Sequence, residues 1–209
     1  MIEYINQYGD QIKLNVKIDS PELFRELQPF ESNWSQYNVL KPWIRRQGLC
    51  VLNERGAVGP GPALNSLYEW NKQYNTDFSE LDFKQPTEVY YASKQVRNVL
   101  KDILPYCVRT HFLKLLPGGF FPPHRDHAGQ HQKTFRLIIP IHSCNPPNTR
   151  FMIEDRTLHW QEGSMYAVNT TKEHTLFNAS ASSESLWLVV NAIICKETVE
   201  FVSNNLTVR

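Results

Sequence analysis

Residues 107–126 form the sequence CVRTHFLKLLPGGFFPPHRD, in which an apolar run is followed by a Pro-Gly-Gly turn and a His-x-Asp motif. From here onward the chain is a succession of short runs rich in Val, Ile, Leu, Phe and Trp, separated by turn signals such as Glu162-Gly163. Short strands at close, even spacing are typical of an antiparallel sandwich or jelly roll. The strands predicted in this half of the chain are 107–116, 134–143, 149–154, 164–169, 173–179 and 185–194.

The first hundred residues predict a mixture of strands and helices. Residues 12–18 alternate apolar and polar side chains, which is the period of a half-buried strand. Asp19 followed by Ser-Pro-Glu is a typical helix start, and this helix is predicted to end near Gln28. Further helices are predicted at 63–74 and 93–104, and a brief strand at 48–53.

The length and composition fit one domain. The chain has 209 residues, of which 41% are hydrophobic, and this is enough to bury a substantial core. We predict a mainly β fold with N-terminal helices. Its parts are a mixed α/β buttress (1–105), a β core that carries the functional site (106–195) and a C-terminal tail (196–209).

The charge balance, the N-terminal residues and the cysteine spacing argue against nucleic-acid binders, membrane-spanning or secreted proteins, and zinc ribbons. The chain carries 22 basic and 21 acidic side chains, whereas nucleic-acid binders usually show a basic excess. The small cluster of Lys41, Arg45 and Arg46 is predicted to be a solvated turn. No apolar run approaches the ~20 residues of a membrane span, and no secretory pattern is visible at the N-terminus. The four cysteines form no CxxC pair, which excludes a zinc ribbon. We therefore expect a soluble cytoplasmic protein with neither a nucleic-acid nor a membrane partner.

His124 and Asp126 are the first two candidate metal ligands. In an extended segment residues i and i+2 point the same way, so both side chains can approach one metal ion. His174 lies 48 residues beyond Asp126, at the entry of a later apolar strand, and supplies a third ligand. Two imidazoles and one carboxylate leave three coordination positions open, as in the facial triad of non-haem iron(II) oxygenases. The alternative is a solvated loop pair with a structural histidine in the sheet.

The other histidines are predicted to have lesser roles. His127 points away from Asp126 if the segment stays extended, which places it at the rim of the site. Three further histidines lie in or beside predicted strands, where structural hydrogen bonding is the more common role. They are His111, His142 and His159.

Arg136 lies in an otherwise apolar run, 135–141. A charged residue in such a strand is seldom buried without a partner, and a guanidinium binds a carboxylate through two parallel hydrogen bonds. An inward Arg136 would therefore suit one end of a dicarboxylate cosubstrate. The alternative is an outward arginine at the beginning of the strand.

Several short motifs follow one another between about Arg109 and Ala192. They are Leu115-Leu-Pro-Gly118, His124-x-Asp126, Arg136 before an apolar run with Pro140, Trp160-Gln-Glu-Gly163, and Val168-Asn followed by His174. In this order they resemble the aspartyl/asparaginyl β-hydroxylase family, which includes bacterial free-proline hydroxylases. The resemblance implies a double-stranded β-helix, a jelly-roll or cupin-like fold. It also implies iron(II) as cofactor, with 2-oxoglutarate and dioxygen used to hydroxylate an unactivated C–H bond, giving succinate and CO2.

The sequence departs from the family pattern at the cosubstrate site. The family usually has an arginine about ten residues after its second histidine, and Glu184 occupies that position here. The resemblance leaves Arg136 as the expected partner of the far carboxylate of 2-oxoglutarate, with Lys114 as a second candidate. Asn169 and Thr171 are expected near the metal or the substrate, and structural roles at a strand end are the alternative for both.

We therefore expect an iron(II)- and 2-oxoglutarate-dependent dioxygenase. Its substrate is expected to be a small molecule or a peptide, either an amino acid or a protein side chain of the Asp, Asn or Pro type. Two other functions stay open at this point: a jelly-roll metal-binding module without turnover, and a cupin-type metalloenzyme that does not use 2-oxoglutarate.

Overall fold

A computed structural model describes residues 3, 6–126 and 133–207. The strands are β1 (Gln11–Lys17), β2 (Ser35–Gln36), β3 (Arg46–Cys50), β4 (Leu52–Asn53), β5 (Gln85–Pro86), β6 (Cys107–Leu115), β7 (Phe120–His124), β8 (Thr134–His142), β9 (Thr149–Ile153), β10 (Arg156–Leu158), β11 (Ser164–Val168), β12 (His174–Asn178) and β13 (Ser185–Ile193). The α-helices are α1 (Ser20–Leu27), α2 (Leu67–Tyr74), α3 (Glu88–Ala92), α4 (Lys94–Leu100) and α5 (Lys196–Asn204). Short 3-10 helices lie at Gln28–Asn33, Pro62–Leu64, Glu80–Asp82 and Leu104–Tyr106. Within these described ranges, no helix has the length and apolarity that crossing a membrane requires.

Two antiparallel sheets form the body of the protein. The large sheet has seven strands in the order β1-β11-β8-β13-β6-β3-β2, and the small sheet has four in the order β10-β9-β12-β7. Side chains from both sheets form one apolar cluster, in which Leu113 and Trp187 of the large sheet meet Phe151 and Leu176 of the small sheet. The sheets thus close on each other as a double-stranded β-helix, which confirms the expected fold.

The other face of the large sheet packs against the N-terminal helices. Leu23 of α1 and Leu100 of α4 belong to the same buried cluster as Leu137 of β8. Because β6 and β8 are covered on both faces, nearly every residue in them is buried. This explains why their sequences are almost continuous apolar runs and do not alternate.

All six strands predicted in the second half of the chain are confirmed, each to within one residue at either end. The first 105 residues do more than buttress the core, because β1, β2 and β3 join the large sheet itself. Residues 196–209, predicted as a tail, contain α5, which buries Phe201 and Val202 against the core. The short strands β7 and β10 were not predicted.

The turn that leads into β7 is closely packed. Gly118 has a φ of +78°, in the left-handed region that favours glycine, and its amide donates to the carbonyl oxygen of Asn178 at 3.0 Å. Gly119 leaves no space for a side chain, because a Cβ there would overlap the carbonyl oxygen of Arg45 and lie 2.9 Å from that of Leu116. This turn therefore fixes the start of the strand that carries the first candidate metal ligand.

Replacement of Gly119 by alanine is expected to lower the free energy of unfolding by about 2 kcal/mol or more, because backbone must move to admit the Cβ. Urea unfolding followed by circular dichroism measures the change. Gly61→Ala is the matched control: its φ of 174° is extended backbone, and the added Cβ would meet only the Glu54 carboxylate at 3.8 Å. We expect this control to change stability by about 0.5 kcal/mol or less. Equal stabilities of the two variants would contradict the packing described for the turn.

Candidate metal centre

The three predicted ligands lie together at one end of the small sheet. β7 ends at His124, Asp126 follows two residues later, and β12 begins at His174, which pairs with His124 across the two strands. The centroids of the two imidazole rings are 4.2 Å apart. One ligand atom from each of the three residues lies within 4.8 Å of the other two. A single metal ion can therefore contact all three side chains.

Backbone carbonyl groups hold both imidazole rings in one orientation. Nδ1 of His124 lies 2.8 Å from the carbonyl oxygen of Pro122, and Nδ1 of His174 lies 3.0 Å from that of Lys172. Because a carbonyl oxygen only accepts, each Nδ1 carries the proton and donates it. The lone pair is then on Nε2 of each ring, and this is the arrangement in which metal-binding histidines are usually held.

The charges at the centre suit a cation. Burial acts to raise the pKa of Asp126, but the neighbouring Arg136, His174 and His124 outweigh it and lower that pKa below its ordinary value. Burial also lowers the pKa of His174. At neutral pH the centre therefore holds an ionised carboxylate and, at His174, a neutral imidazole, which are the protonation states that bind a metal.

Arg136 lies on the inner face of β8 and binds two carboxylates. Its Nε donates to Oδ2 of Asp126 at 2.9 Å, and its terminal nitrogens donate to Glu80 at 3.0 and 3.3 Å. Burial acts to lower the pKa of Arg136, and the two carboxylates more than offset this and raise it. Glu80 also accepts from Arg109 at 3.2 Å and from the hydroxyl of Thr134 at 2.5 Å. One buried carboxylate thus joins two buried guanidinium groups.

The centre opens into a cavity of about 540 Å³ that reaches between the two sheets. Its apolar wall includes Ile138, Phe151 and Leu176, and the exposed Tyr68 of α2 is among the residues that line it from the N-terminal half. The charged residues that line it are Lys41, Arg46, Glu69, Glu80, Arg109, Arg125, Asp126 and Arg136.

Two residues for which the sequence predicted other roles are buried in the wall of this cavity. Arg46 is 3% exposed, which corrects the expectation of a solvated turn: β3 pairs with β6, and Arg46 lies opposite Leu115 in that pairing. His111, predicted as structural, is also buried in the cavity wall. Burial, assisted by the charge of Arg109, lowers the pKa of His111 to about 3, so its imidazole is neutral.

Lys114 lies on the face of β6 that points away from the cavity. Its ammonium group contacts the carboxylates of Glu31 at 3.4 Å and Glu184 at 3.3 Å, and lies 4.3 Å from the ring centroid of Trp34. The structure therefore does not bring Lys114 to the candidate site. Glu184 forms an ion pair with Lys114 on this outer face.

Asn169 and Thr171 contact each other just beyond the end of β11. The hydroxyl of Thr171 donates to Oδ1 of Asn169 at 2.6 Å, and Nδ2 of Asn169 donates to Asp10 at 3.4 Å. Neither residue lines the cavity, and these contacts favour structural roles at the strand end. His127, predicted at the rim, lies outside the described residues.

Comparison with known proteins gives one family and several similar structures. The sequence profile of the aspartyl/asparaginyl β-hydroxylase family matches residues 68–192, more than half of the chain. No curated protein matches the sequence. A prolyl-4-hydroxylase from Pseudomonas putida is similar in structure, with a TM-score of 0.48 and 12% identity over 88% of this chain and 92% of its own. A collagen prolyl hydroxylase from Paramecium Bursaria Chlorella virus-1, solved as a 2-oxoglutarate complex, has a TM-score of 0.47 and 9% identity over 90% of this chain and 97% of its own.

Proposed function

Because the chain belongs to the aspartyl/asparaginyl β-hydroxylase family and is thus a 2-oxoglutarate-dependent dioxygenase, we propose that His124, Asp126 and His174 hold its iron(II). We propose further that the substrate is an amino acid or a protein side chain of the Asp, Asn or Pro type. The observation that carries the metal assignment is the mutual distance of at most 4.8 Å between the three ligand atoms.

The donor set fits iron(II). Two imidazole nitrogens and one carboxylate oxygen are the ligands of the facial triad, which leaves positions for a chelating cosubstrate and for dioxygen. Oδ2 of Asp126 is taken by Arg136, whereas Oδ1 lies 3.6 Å from Nε2 of His124. Oδ1 is therefore the oxygen that faces the position of a shared ion.

With dioxygen as the oxidant, iron(II) and 2-oxoglutarate bound in this cavity would supply the chemistry that hydroxylates an unactivated C–H bond. The residues of the chain prepare the place for it. The Arg136 guanidinium prevents the Asp126 carboxylate from rotating, and the ring of Phe151 stacks on that of His174 at 5.9 Å between centroids. Phe151 thus covers one side of the His174 imidazole and helps to keep the orientation of this metal ligand in an apolar environment.

The far carboxylate of 2-oxoglutarate needs a cation in the cavity. Arg136 is the candidate from sequence, and its guanidinium lines the cavity. However, its Nε is bound to Asp126 and both terminal nitrogens are bound to Glu80. These bonds use three of its five N–H groups, so a third carboxylate would find only the remaining two donors. Arg46 provides a further buried guanidinium in the same wall, besides those of Arg136 and Arg109.

Anaerobic addition of Fe(II), and then of 2-oxoglutarate, tests the proposed function. We expect a weak visible charge-transfer band on addition of 2-oxoglutarate, and succinate when air is admitted with free proline, aspartate, asparagine or peptides that contain them. Zn(II)-loaded protein is the matched control, because zinc can bind the same ligands but has no redox chemistry. It should give neither band nor succinate.

Iron binding without a band and without succinate would contradict the proposal. That result would favour one of the other two functions, a metal-binding module without turnover or a cupin-type metalloenzyme that does not use 2-oxoglutarate.

A further inference from the structure

Arg46 is a buried cation without an anionic partner. Its side chain is 3% exposed, and its Nε has no hydrogen-bond partner. Among the residues that the structure describes, no carboxylate forms an ion pair with its guanidinium. A buried charge that is neither solvated nor paired is costly. Its presence in a cavity wall therefore indicates a ligand that supplies the missing acceptor.

The other buried or half-buried cations of the cavity wall are all paired. The pairs are Lys41 with Glu69, Arg109 with Glu80, and Arg136 with Glu80 and Asp126. Arg46 has no such ion pair with a described residue. Glu69 is near enough to raise the pKa of Arg46 through its charge, but its carboxylate pairs with Lys41. Among the described residues of the cavity wall, Arg46 is thus the buried guanidinium that no carboxylate pairs with.

Aromatic rings hold the Arg46 side chain in place. The guanidinium carbon lies 3.9 Å from the ring centroid of Phe121 and 5.3 Å from that of Tyr37. Such contacts offset part of the cost of burying the charge. The N–H donors of a guanidinium point outward in the plane of the group, however, and the Nε of Arg46 makes no hydrogen bond to these rings or to any other described residue. These donors stay available to a planar carboxylate.

Phe121 also connects Arg46 with the metal centre. Its ring stacks on the imidazole of His124 with 6.1 Å between centroids, so one ring separates the guanidinium from a candidate metal ligand. In the large sheet, Leu115 pairs with Arg46 on one side and with Ser185 on the other. Arg46 therefore lies at the same level of the sheet as Ser185, the residue after Glu184. It approaches the cavity from β3, on the opposite side of β6 from β13.

We propose that Arg46 binds the far carboxylate of 2-oxoglutarate, an assignment that rests on the function proposed above. The two carboxylates of this acid are separated by four carbon–carbon bonds, about 5 Å when extended. An anion of this kind can chelate a metal ion with one end and present its other carboxylate to a guanidinium in the wall of the same cavity, where Arg46 and His124 both lie. A carboxylate there would form two parallel charge-assisted hydrogen bonds with Arg46. Arg136 is then the residue that positions Asp126.

Dissociation constants measured anaerobically on Fe(II)-loaded protein test this assignment. The two probes are 2-oxoglutarate and 2-oxovalerate, which has the same chelating end but no far carboxylate, and the charge-transfer band reports their binding. Arg46→Met is expected to raise the Kd of 2-oxoglutarate about 10- to 100-fold and that of 2-oxovalerate by less than about threefold. Iron affinity should not change. Arg46→Lys keeps the positive charge but loses the two parallel N–H donors of the guanidinium, so it should raise the Kd of 2-oxoglutarate by a smaller factor.

Arg45→Met is the matched control, because Arg45 is the neighbouring arginine and is exposed. Its constants should equal those of the wild type. Should Arg46→Met fail to fold, the ratio of the two constants in Arg46→Lys decides, since only loss of a far-carboxylate contact changes that ratio.

Two results would overturn the assignment. The first is an unchanged Kd of 2-oxoglutarate in Arg46→Met; a rise in Arg136→Met beside it would assign the far carboxylate to Arg136. The second is an equal rise for both probes, which would mean that Arg46 only packs in the wall. Failure of the proposed function itself looks different: the wild type would bind iron and give no band with either probe, and both proposals would fall.

Discussion

His174→Ala is expected to abolish iron binding and, with it, all turnover. His174 supplies one of the two imidazoles of the candidate triad, and its Nε2 is the atom that the Lys172 carbonyl leaves free for a metal. Loss of an outer partner of a metal-binding histidine alone weakens metal binding about 10- to 100-fold, so loss of the ligand itself should exceed about 100-fold. Competition with a chromogenic chelator under anaerobic conditions measures the affinity.

His142→Ala is the matched control for this experiment. His142 ends β8 and is exposed, and its ring contacts Phe24 outside the cavity. Its iron affinity should equal that of the wild type. Retention of iron by His174→Ala at wild-type affinity would place the metal elsewhere, and the triad would then be a structural cluster.

Glu80→Gln is expected to cause the largest loss of stability among single substitutions around the cavity. Glu80 neutralises both Arg109 and Arg136 in a buried environment, and the amide of glutamine would leave excess positive charge there. Removal of one partner from a buried ion pair typically costs about 3–5 kcal/mol. We therefore expect a decrease of this size in the free energy of unfolding, measured by urea denaturation at neutral pH.

Glu200→Gln makes the same chemical change on the surface. Glu200 forms an exposed i,i+4 pair with Lys196 in α5, and such pairs contribute about 0.5 kcal/mol or less. A similar, small effect of both substitutions would mean that solvent reaches the Arg109 and Arg136 guanidinium groups, contrary to their burial in the structure.

The strands of the core and the grouping of the three candidate ligands could be predicted because both depend on local patterns. Apolar runs bounded by Pro117-Gly118-Gly119 or Glu162-Gly163 specify strands and their ends. The His-x-Asp spacing places two side chains on the same side of an extended segment. A histidine that begins a neighbouring strand then completes the group, as it does in β12.

The residues behind the ligands could not be predicted because their environment comes from distant parts of the chain. Arg46 follows another arginine and resembles a solvated cluster, and only the pairing of β3 with β6 buries it. Glu80 lies in a short 3-10 helix with no apolar pattern, and it meets Arg136 across more than fifty positions of sequence. α5 did leave a signal, since Thr198, Phe201 and Val202 have helical spacing and are all buried.

The strand order of the large sheet has a consequence for how the protein is made. β13 is the last strand along the chain, yet it lies between β8 and β6 near the middle of the sheet. On the ribosome, β6 and β8 emerge long before the strand that joins them. Each therefore carries an unpaired, apolar edge through the later part of synthesis, and such edges are prone to aggregate. The nascent chain can complete its large sheet only after residue 193 has left the exit tunnel, so the part of the cavity wall that β13 supplies forms only then.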